Sequence, residues 1–69
     1  MFGIKVCFKE RGYWSKAYTY LSDVKYEKGD VVIVPANDFY AIGKVTDCTE
    51  NPALMPNINY KKVIKKADI

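Results

Sequence analysis

The side chains that most often perform acid–base and nucleophilic chemistry are scarce in this chain. It contains no histidine, which removes the commonest general base and the commonest metal ligand. Its two cysteines, Cys7 and Cys48, are far apart and fit no zinc-binding or redox spacing. Arg11 is the one side chain suited to bidentate recognition of a phosphate or carboxylate. The sequence therefore predicts no enzymatic activity, no bound metal, no cofactor and reduced thiols.

The densest group of charges lies near the end of the sequence and consists of Lys61, Lys62, Lys65 and Lys66. Lysines on an exposed terminal strand keep a protein soluble and prevent the strand from pairing with other chains. They are also suited to contact phosphate groups as point charges, or an acidic protein partner. Eleven Lys and Arg against eight Asp and Glu give a net charge of +3, far below that of a dedicated non-specific DNA-binding protein.

Aromatic residues make up 14% of the chain, more than so small a core needs, unless the rings fill the interior of a narrow barrel. The aromatic residues expected at the surface are Tyr13, Trp14, Tyr18, Tyr20, Tyr26, Phe39, Tyr40 and Tyr60. Between residues 14 and 20, aromatic side chains and a lysine share one face of a predicted strand, a pattern typical of single-stranded nucleic-acid platforms. The predicted partner-binding residues are Tyr13, Trp14, Lys16, Tyr18, Tyr20, Tyr40, Lys61, Lys62, Lys65 and Lys66.

Length and composition indicate one small globular domain over residues 1 to 69, with 49% hydrophobic and 28% charged residues. A chain of this length buries only about 60% of its unfolded surface. A homodimer would add buried area, and the sequence is compatible with one. No apolar run approaches the ~18 residues that span a bilayer, and lysines interrupt the start of the chain where a signal peptide is apolar. We therefore expect a cytoplasmic protein without a membrane partner.

Four strands are predicted, at residues 2 to 9, 14 to 21, 31 to 35 and 39 to 47. The first alternates apolar and polar residues, and Val31 to Val34 form the most β-prone run of the chain. Polar segments at 22 to 30 and 49 to 59 are predicted to be loops, because they contain turn-forming residues. The predicted core consists of Ile4, Val6, Phe8, Val32, Val34, Val45 and Val63.

Residues 60 to 69 fit two patterns. Tyr60, Val63, Ile64 and Ala67 have helical spacing, whereas apolar residues from Val63 onward also alternate as in a strand. Because a four-stranded sheet needs a closing strand to protect its edge, we predict a fifth strand over 61 to 67. The alternative is a four-stranded sheet covered by a C-terminal helix.

The run from Tyr18 to Val45 resembles small uncharacterised proteins encoded by bacteriophages and prophages, in which an aromatic strand precedes a GD-V-V-V-P strand and a G-K-V partner. It is also similar to the amino-terminal DNA-binding domain of the primosome-assembly helicase, which holds the 3′ end of a DNA strand. The shared motif comprises Gly29, Val32, Val34, Pro35, Gly43 and Val45. That domain carries aromatic and basic residues after the proline, whereas Ala-Asn-Asp follows Pro35 here. The resemblance implies an all-β fold, a five-stranded barrel of the Src-homology-3-like kind.

Small size, surplus aromatic residues and the phage resemblance together predict a non-catalytic binding module. We expect a phage-encoded accessory protein that binds and inhibits a host protein or defence complex in the host cytosol. One alternative is a nucleic-acid-binding β-barrel that uses the lysines and the aromatic strand. Another is a protein that captures a small nucleotide signal in a pocket at a dimer interface.

Overall fold

β-Branched and aromatic residues dominate the strands of this chain, as their preference for a pleated, half-buried surface requires. The computed structural model describes residues 1–67, and within them it contains seven strands and no helix. The strands are β1 (Phe2–Cys7), β2 (Lys9–Glu10), β3 (Tyr13–Trp14), β4 (Tyr18–Ser22), β5 (Val31–Ala36), β6 (Phe39–Glu50) and β7 (Lys65–Lys66). They form a five-stranded antiparallel sheet in the order β4-β1-β6-β5-β7 and a separate β2-β3 sheet. Residues 1–67 thus include no helix long and apolar enough to cross a bilayer.

The core lies on one face of the five-stranded sheet. Five aliphatic residues there are at most 1% exposed: Ile4, Val6, Val32, Val34 and Val45. All five are among the predicted core residues. Phe8 and Val63, also predicted, are only partly buried and pack against the cluster from its edge.

Tyr26 joins this core, with only 8% of its surface exposed, so the prediction that it lies at the surface is wrong. The loop before β5 turns it inward. Ser22 Oγ accepts a hydrogen bond from the Val24 N–H and donates one to the Val24 carbonyl, which fixes a tight turn after β4. Because a loop with few apolar residues gives no periodicity, the sequence could not show which side chain points inward.

The first two predicted strands are each broken in two. The chain bends after β1, where the Phe8 N–H donates to Ser15 Oγ at 3.0 Å and the Ser15 N–H donates to the Phe8 carbonyl at 2.8 Å. This pair of bonds separates the short β2-β3 hairpin from the main sheet. The predicted strand at 14 to 21 is therefore two strands, and only the part beginning at Tyr18 pairs with β1.

The longest strand, β6, pairs with β5 along one part of its length and with β1 along the other. It continues three residues past the predicted end at 47 and contains a bulge opposite Lys5 and Val6. Gly43 lies buried in this strand. A Cβ atom there would strike the Val6 side chain and lie 2.9 Å from Phe8 Cε1, so only glycine fits.

The C-terminal segment is extended, and the helical alternative for residues 60 to 67 is wrong. Lys65 and Lys66 pair with β5 as the short β7, while the Val63 N–H donates to the Leu21 carbonyl of β4. The C-terminal segment thus contacts both β4 and β5, which are separated in the sheet by β1 and β6. The regular strand is shorter than the predicted 61 to 67, because the segment changes partners midway. Residues 68 and 69 lie outside the described part.

Substitution of a core valine tests the assignment of the inner face. We expect Val32→Ala to lower the free energy of unfolding by about 2 kcal/mol, because Val32 is fully buried and the change leaves a cavity. Val24→Ala is the matched control, since Val24 is exposed. Urea denaturation of both variants measures the difference. Equal losses would contradict the proposed core.

Asp30 forms an ion pair with the C-terminal segment and makes the free energy of unfolding depend on pH. Its carboxylate accepts a hydrogen bond from the Glu27 N–H and lies 3.4 Å from the Lys66 ammonium. The Glu27 bond lowers the pKa of Asp30, and Lys66 adds to this effect against an opposing desolvation. A carboxylate whose pKa is lowered by folding stabilises the native state above its unfolded pKa, and that stabilisation is lost as the pH falls.

Asp30→Asn should therefore lower the free energy of unfolding near neutral pH. The variant should also lose less stability than the unaltered chain as the pH falls from about 5 to about 2. Urea denaturation at a series of pH values measures both effects. Asp38→Asn, in the exposed β5-β6 turn, is the control for a general loss of negative charge. An unchanged pH profile in Asp30→Asn would show that these contacts do not stabilise the fold.

Candidate functional site

Strand pairing divides the predicted aromatic platform between the five-stranded sheet and the separate β2-β3 hairpin. Residues directly opposite each other on antiparallel strands share a face. Tyr18 is opposite Val6 and Tyr20 is opposite Ile4, so both tyrosines lie on the core side of β4. Trp14 belongs to the separate β2-β3 hairpin. The prediction of a single face over residues 14 to 20 is therefore wrong, because the chain bends between Trp14 and Tyr18.

The tyrosines of β4 form an aromatic cluster at the edge of the core. The Phe8 ring centroid lies 5.9 Å from that of Tyr18 and 6.4 Å from that of Tyr20. Desolvation by this packing raises the pKa of Tyr20. Tyr18 is more exposed, and the Lys16 ammonium lies 5.6 Å from its ring centroid. These rings thus complete the edge of the core, and only Tyr18 and Lys16 present much surface to solvent.

The opposite, outer face of β6 carries two strongly exposed apolar residues. We call Tyr40, Ile42 and Lys44 the outer strip, because they alternate with the inward-facing Ala41, Gly43 and Val45. Tyr40 is 72% exposed and Ile42 is 61% exposed. Directly opposite them on β5 lie Pro35 and Ile33, which are half-buried. Two neighbouring strands thus form one apolar patch.

Trp14 lies beyond the Lys44 end of the outer strip. Its ring centroid is 5.7 Å from the Lys44 ammonium and 5.3 Å from the Lys9 ammonium. A cation–π contact at an exposed site contributes about 0.5–1 kcal/mol. The ring is 48% exposed. Beside it is a cleft of about 360 Å³, lined by Cys7, Trp14, Lys28, Gly29, Lys44, Val45 and Thr46.

Tyr13 is exposed in the β2-β3 hairpin, as predicted, directly opposite Glu10. A hydrogen bond to the Glu10 carboxylate and the charge of that group raise the pKa of Tyr13. Proximity to a negative charge makes this ring a poor contact for an anionic partner. The structure therefore keeps Tyr13 at the surface but outside the outer strip.

The four C-terminal lysines do not form one charged patch. Lys62 is paired with Asp23 at 3.2 Å, and Lys66 is paired with Asp30 at 3.4 Å. Lys61 lies beside β4, where its carbonyl accepts a hydrogen bond from Leu21. Lys65 is opposite Ile33, at the outer face of β5. Of the four lysines, only Lys65 thus lies next to the apolar patch.

Sequence reasoning missed Ile42, Lys44, Lys9 and Lys28. The alternation of β6 contained the necessary signal for the first two, since predicting Val45 in the core places residues 42 and 44 on the opposite face. A signal also existed for Lys9, since the predicted strands that end at residue 9 and begin at residue 14 place Lys9 opposite Trp14, as the β2-β3 hairpin does. No such signal existed for Lys28, which reaches the cleft from the loop before β5.

A second, smaller depression of about 170 Å³ lies where Pro52 covers Gly3. It falls below the ~300 Å³ typical of small-molecule sites. Cys7 and Cys48 are half-buried free thiols. Residues 1–67 contain no group of three or more His, Cys, Asp or Glu side chains placed to hold a metal ion.

No known protein family, no curated protein and no solved structure matches this chain. The geometry of the site is therefore what bears on its function.

Proposed function

We propose that the chain is a non-catalytic binding module that holds a protein partner on its outer strip. The observation that supports this proposal is the exposure of Tyr40 and Ile42 beside Ile33 and Pro35. Scattered exposed apolar side chains are ordinary, but a contiguous apolar patch on a small protein marks an interaction surface. Tyrosine is also among the residues that contribute most to protein interfaces.

The backbone beneath the patch favours binding. β5 and β6 pair over six successive residues, from Val31 opposite Lys44 to Ala36 opposite Phe39. The backbone of such a ladder is already ordered, so little of the interaction energy is spent on ordering it when a partner binds. Phe39, which is 80% exposed, lies opposite Ala36 at the hairpin end and has the alternation of the inward-facing Ala41, so it is not part of the patch.

Charge around the patch defines the partner further. Lys44 continues the outer strip, and Lys65 lies beside Ile33. Neither ammonium group forms an ion pair within residues 1–67. A partner with an apolar centre and an acidic rim would complement this arrangement. Rim charges of this kind mainly raise the association rate and fix the orientation of binding.

The proposal includes the small barrel of the Src-homology-3-like kind predicted from the sequence. It is supported by the C-terminal segment, whose backbone hydrogen-bonds Leu21 of β4 as well as Ile33 and Val31 of β5. A segment that joins both strands would close the sheet around its core and leave the outer face to solvent. Phage origin and inhibition of a host protein or defence complex stay predictions from the resemblance.

A partner-capture experiment tests the protein-binding surface. The immobilised chain is exposed to host lysate treated with nuclease, and retained proteins are identified and then purified for affinity measurement. Tyr40→Ala should weaken the affinity of that partner more than tenfold, because it removes the most exposed apolar side chain of the patch. Lys65→Ala should chiefly slow association and lower its salt dependence.

Met55→Ala is the matched control, because Met55 is apolar and 59% exposed but lies outside the patch. It should bind as the unaltered chain does. If Tyr40→Ala and Met55→Ala have the same affinity, the outer strip is not the interface. Capture that requires intact nucleic acid would also count against a protein partner.

A further inference from the structure

The cleft beside Trp14 combines an exposed aromatic ring with concentrated positive charge. The ammonium groups of Lys9 and Lys44 approach the ring, and Lys28 lines the cleft opposite Lys44. None of the three forms an ion pair within the described chain, residues 1–67. Cys7, directly opposite Lys44 on β1, also lines the cleft. The cleft shares Lys44 with the outer strip but not Tyr40, which lies four residues from Lys44 along β6, or about 13 Å.

We propose that this cleft binds a nucleotide, with the base stacked on Trp14 and the phosphate held by Lys28 and Lys44. The volume of about 360 Å³ falls within the range of small-molecule sites. A planar base complements the ring, and an anionic phosphate complements ammonium groups that have no carboxylate partner. A free nucleotide and one nucleotide of a single strand offer this same chemistry.

The site has little means to distinguish one base from another. The hydroxyl of Thr46 donates to the Lys5 carbonyl, and the Gly29 N–H donates to the Val45 carbonyl at 2.8 Å. These two donors of the cleft are thus already used. Stacking and phosphate contact remain, and neither reads a base edge. We therefore expect similar affinities for different bases.

A base must displace a lysine to reach the ring. An exposed cation–π contact contributes only about two- to fivefold to an equilibrium, whereas base–aromatic stacking contributes about five- to 150-fold. The exchange therefore favours the base. Lys9 and Lys44 are exposed and flexible, so the displaced ammonium group stays within reach of the phosphate.

Fluorescence provides a direct test, because Trp14 is the single tryptophan of the chain. Its emission is titrated with AMP, CMP, adenosine, inorganic phosphate and an oligothymidylate of about eight nucleotides. AMP and CMP should quench it saturably with similar affinities, and adenosine should bind at least threefold more weakly than AMP. Lys44→Gln should weaken the affinity for AMP three- to tenfold. Lys25→Gln should have no effect, because Lys25 is exposed and lies outside the cleft.

Tyr40→Ala should leave AMP binding unchanged, because Tyr40 belongs to the proposed protein interface and does not line the cleft. The two binding sites can therefore be tested separately. If the oligonucleotide binds much more tightly than AMP, the ligand of the cleft is a single strand. If the two have equal affinity per nucleotide, the ligand is a free nucleotide. Both results support the proposal. Quenching that rises linearly with AMP and adenosine alike would overturn it, as would equal effects of Lys44→Gln and Lys25→Gln.

Discussion

The structure depends on a single strand that serves two neighbours. β6 pairs with β1 and with β5, so it joins the two halves of the sheet. Its inward side chains must be small, because the Val6 and Phe8 side chains leave no space at Gly43. Its outward side chains are free of this constraint, and they include the exposed Tyr40 and Ile42. The same alternation thus builds the core and supplies the candidate binding surface.

A core of five small aliphatic side chains gives limited stability. Additional elements compensate for its size. Tyr26 covers the core from the loop before β5, and the C-terminal segment hydrogen-bonds both β4 and β5. Asp30 connects these two elements through its bonds to Glu27 and Lys66. The termini and loops are therefore part of the fold.

Sequence patterning predicted what is regular in this protein. Ile4 was placed in the core because its strand alternates, and Val32 because it lies in the most β-prone run of the chain, and the structure confirms both. The interruption at Phe8 was not predictable, because a hydrogen bond from its N–H to Ser15 seven residues away leaves no periodic signal. That interruption places Trp14 in the β2-β3 hairpin and Tyr18 in β4. The predicted aromatic face is therefore divided between two sheets.

The lysines illustrate the same limit. Four cations in six residues suggested one charged surface, but Lys62 and Lys66 are held by Asp23 and Asp30, which are distant in sequence. Which lysines remain free depends on these tertiary pairs. The positive charge available to a ligand lies instead near Trp14, where lysines from three separate segments meet.

If the outer strip of β6 binds a partner protein, that partner should perturb the backbone amides of the strip. Amide chemical-shift perturbation by NMR, recorded while the captured partner is added, measures this effect residue by residue. The largest shifts should cluster at residues 39 to 44 and at 33 to 35, with little change in the loop at 51 to 59. Shifts concentrated at Tyr18, Tyr20 and the C-terminal lysines, with residues 39 to 44 unaffected, would show that the partner binds elsewhere.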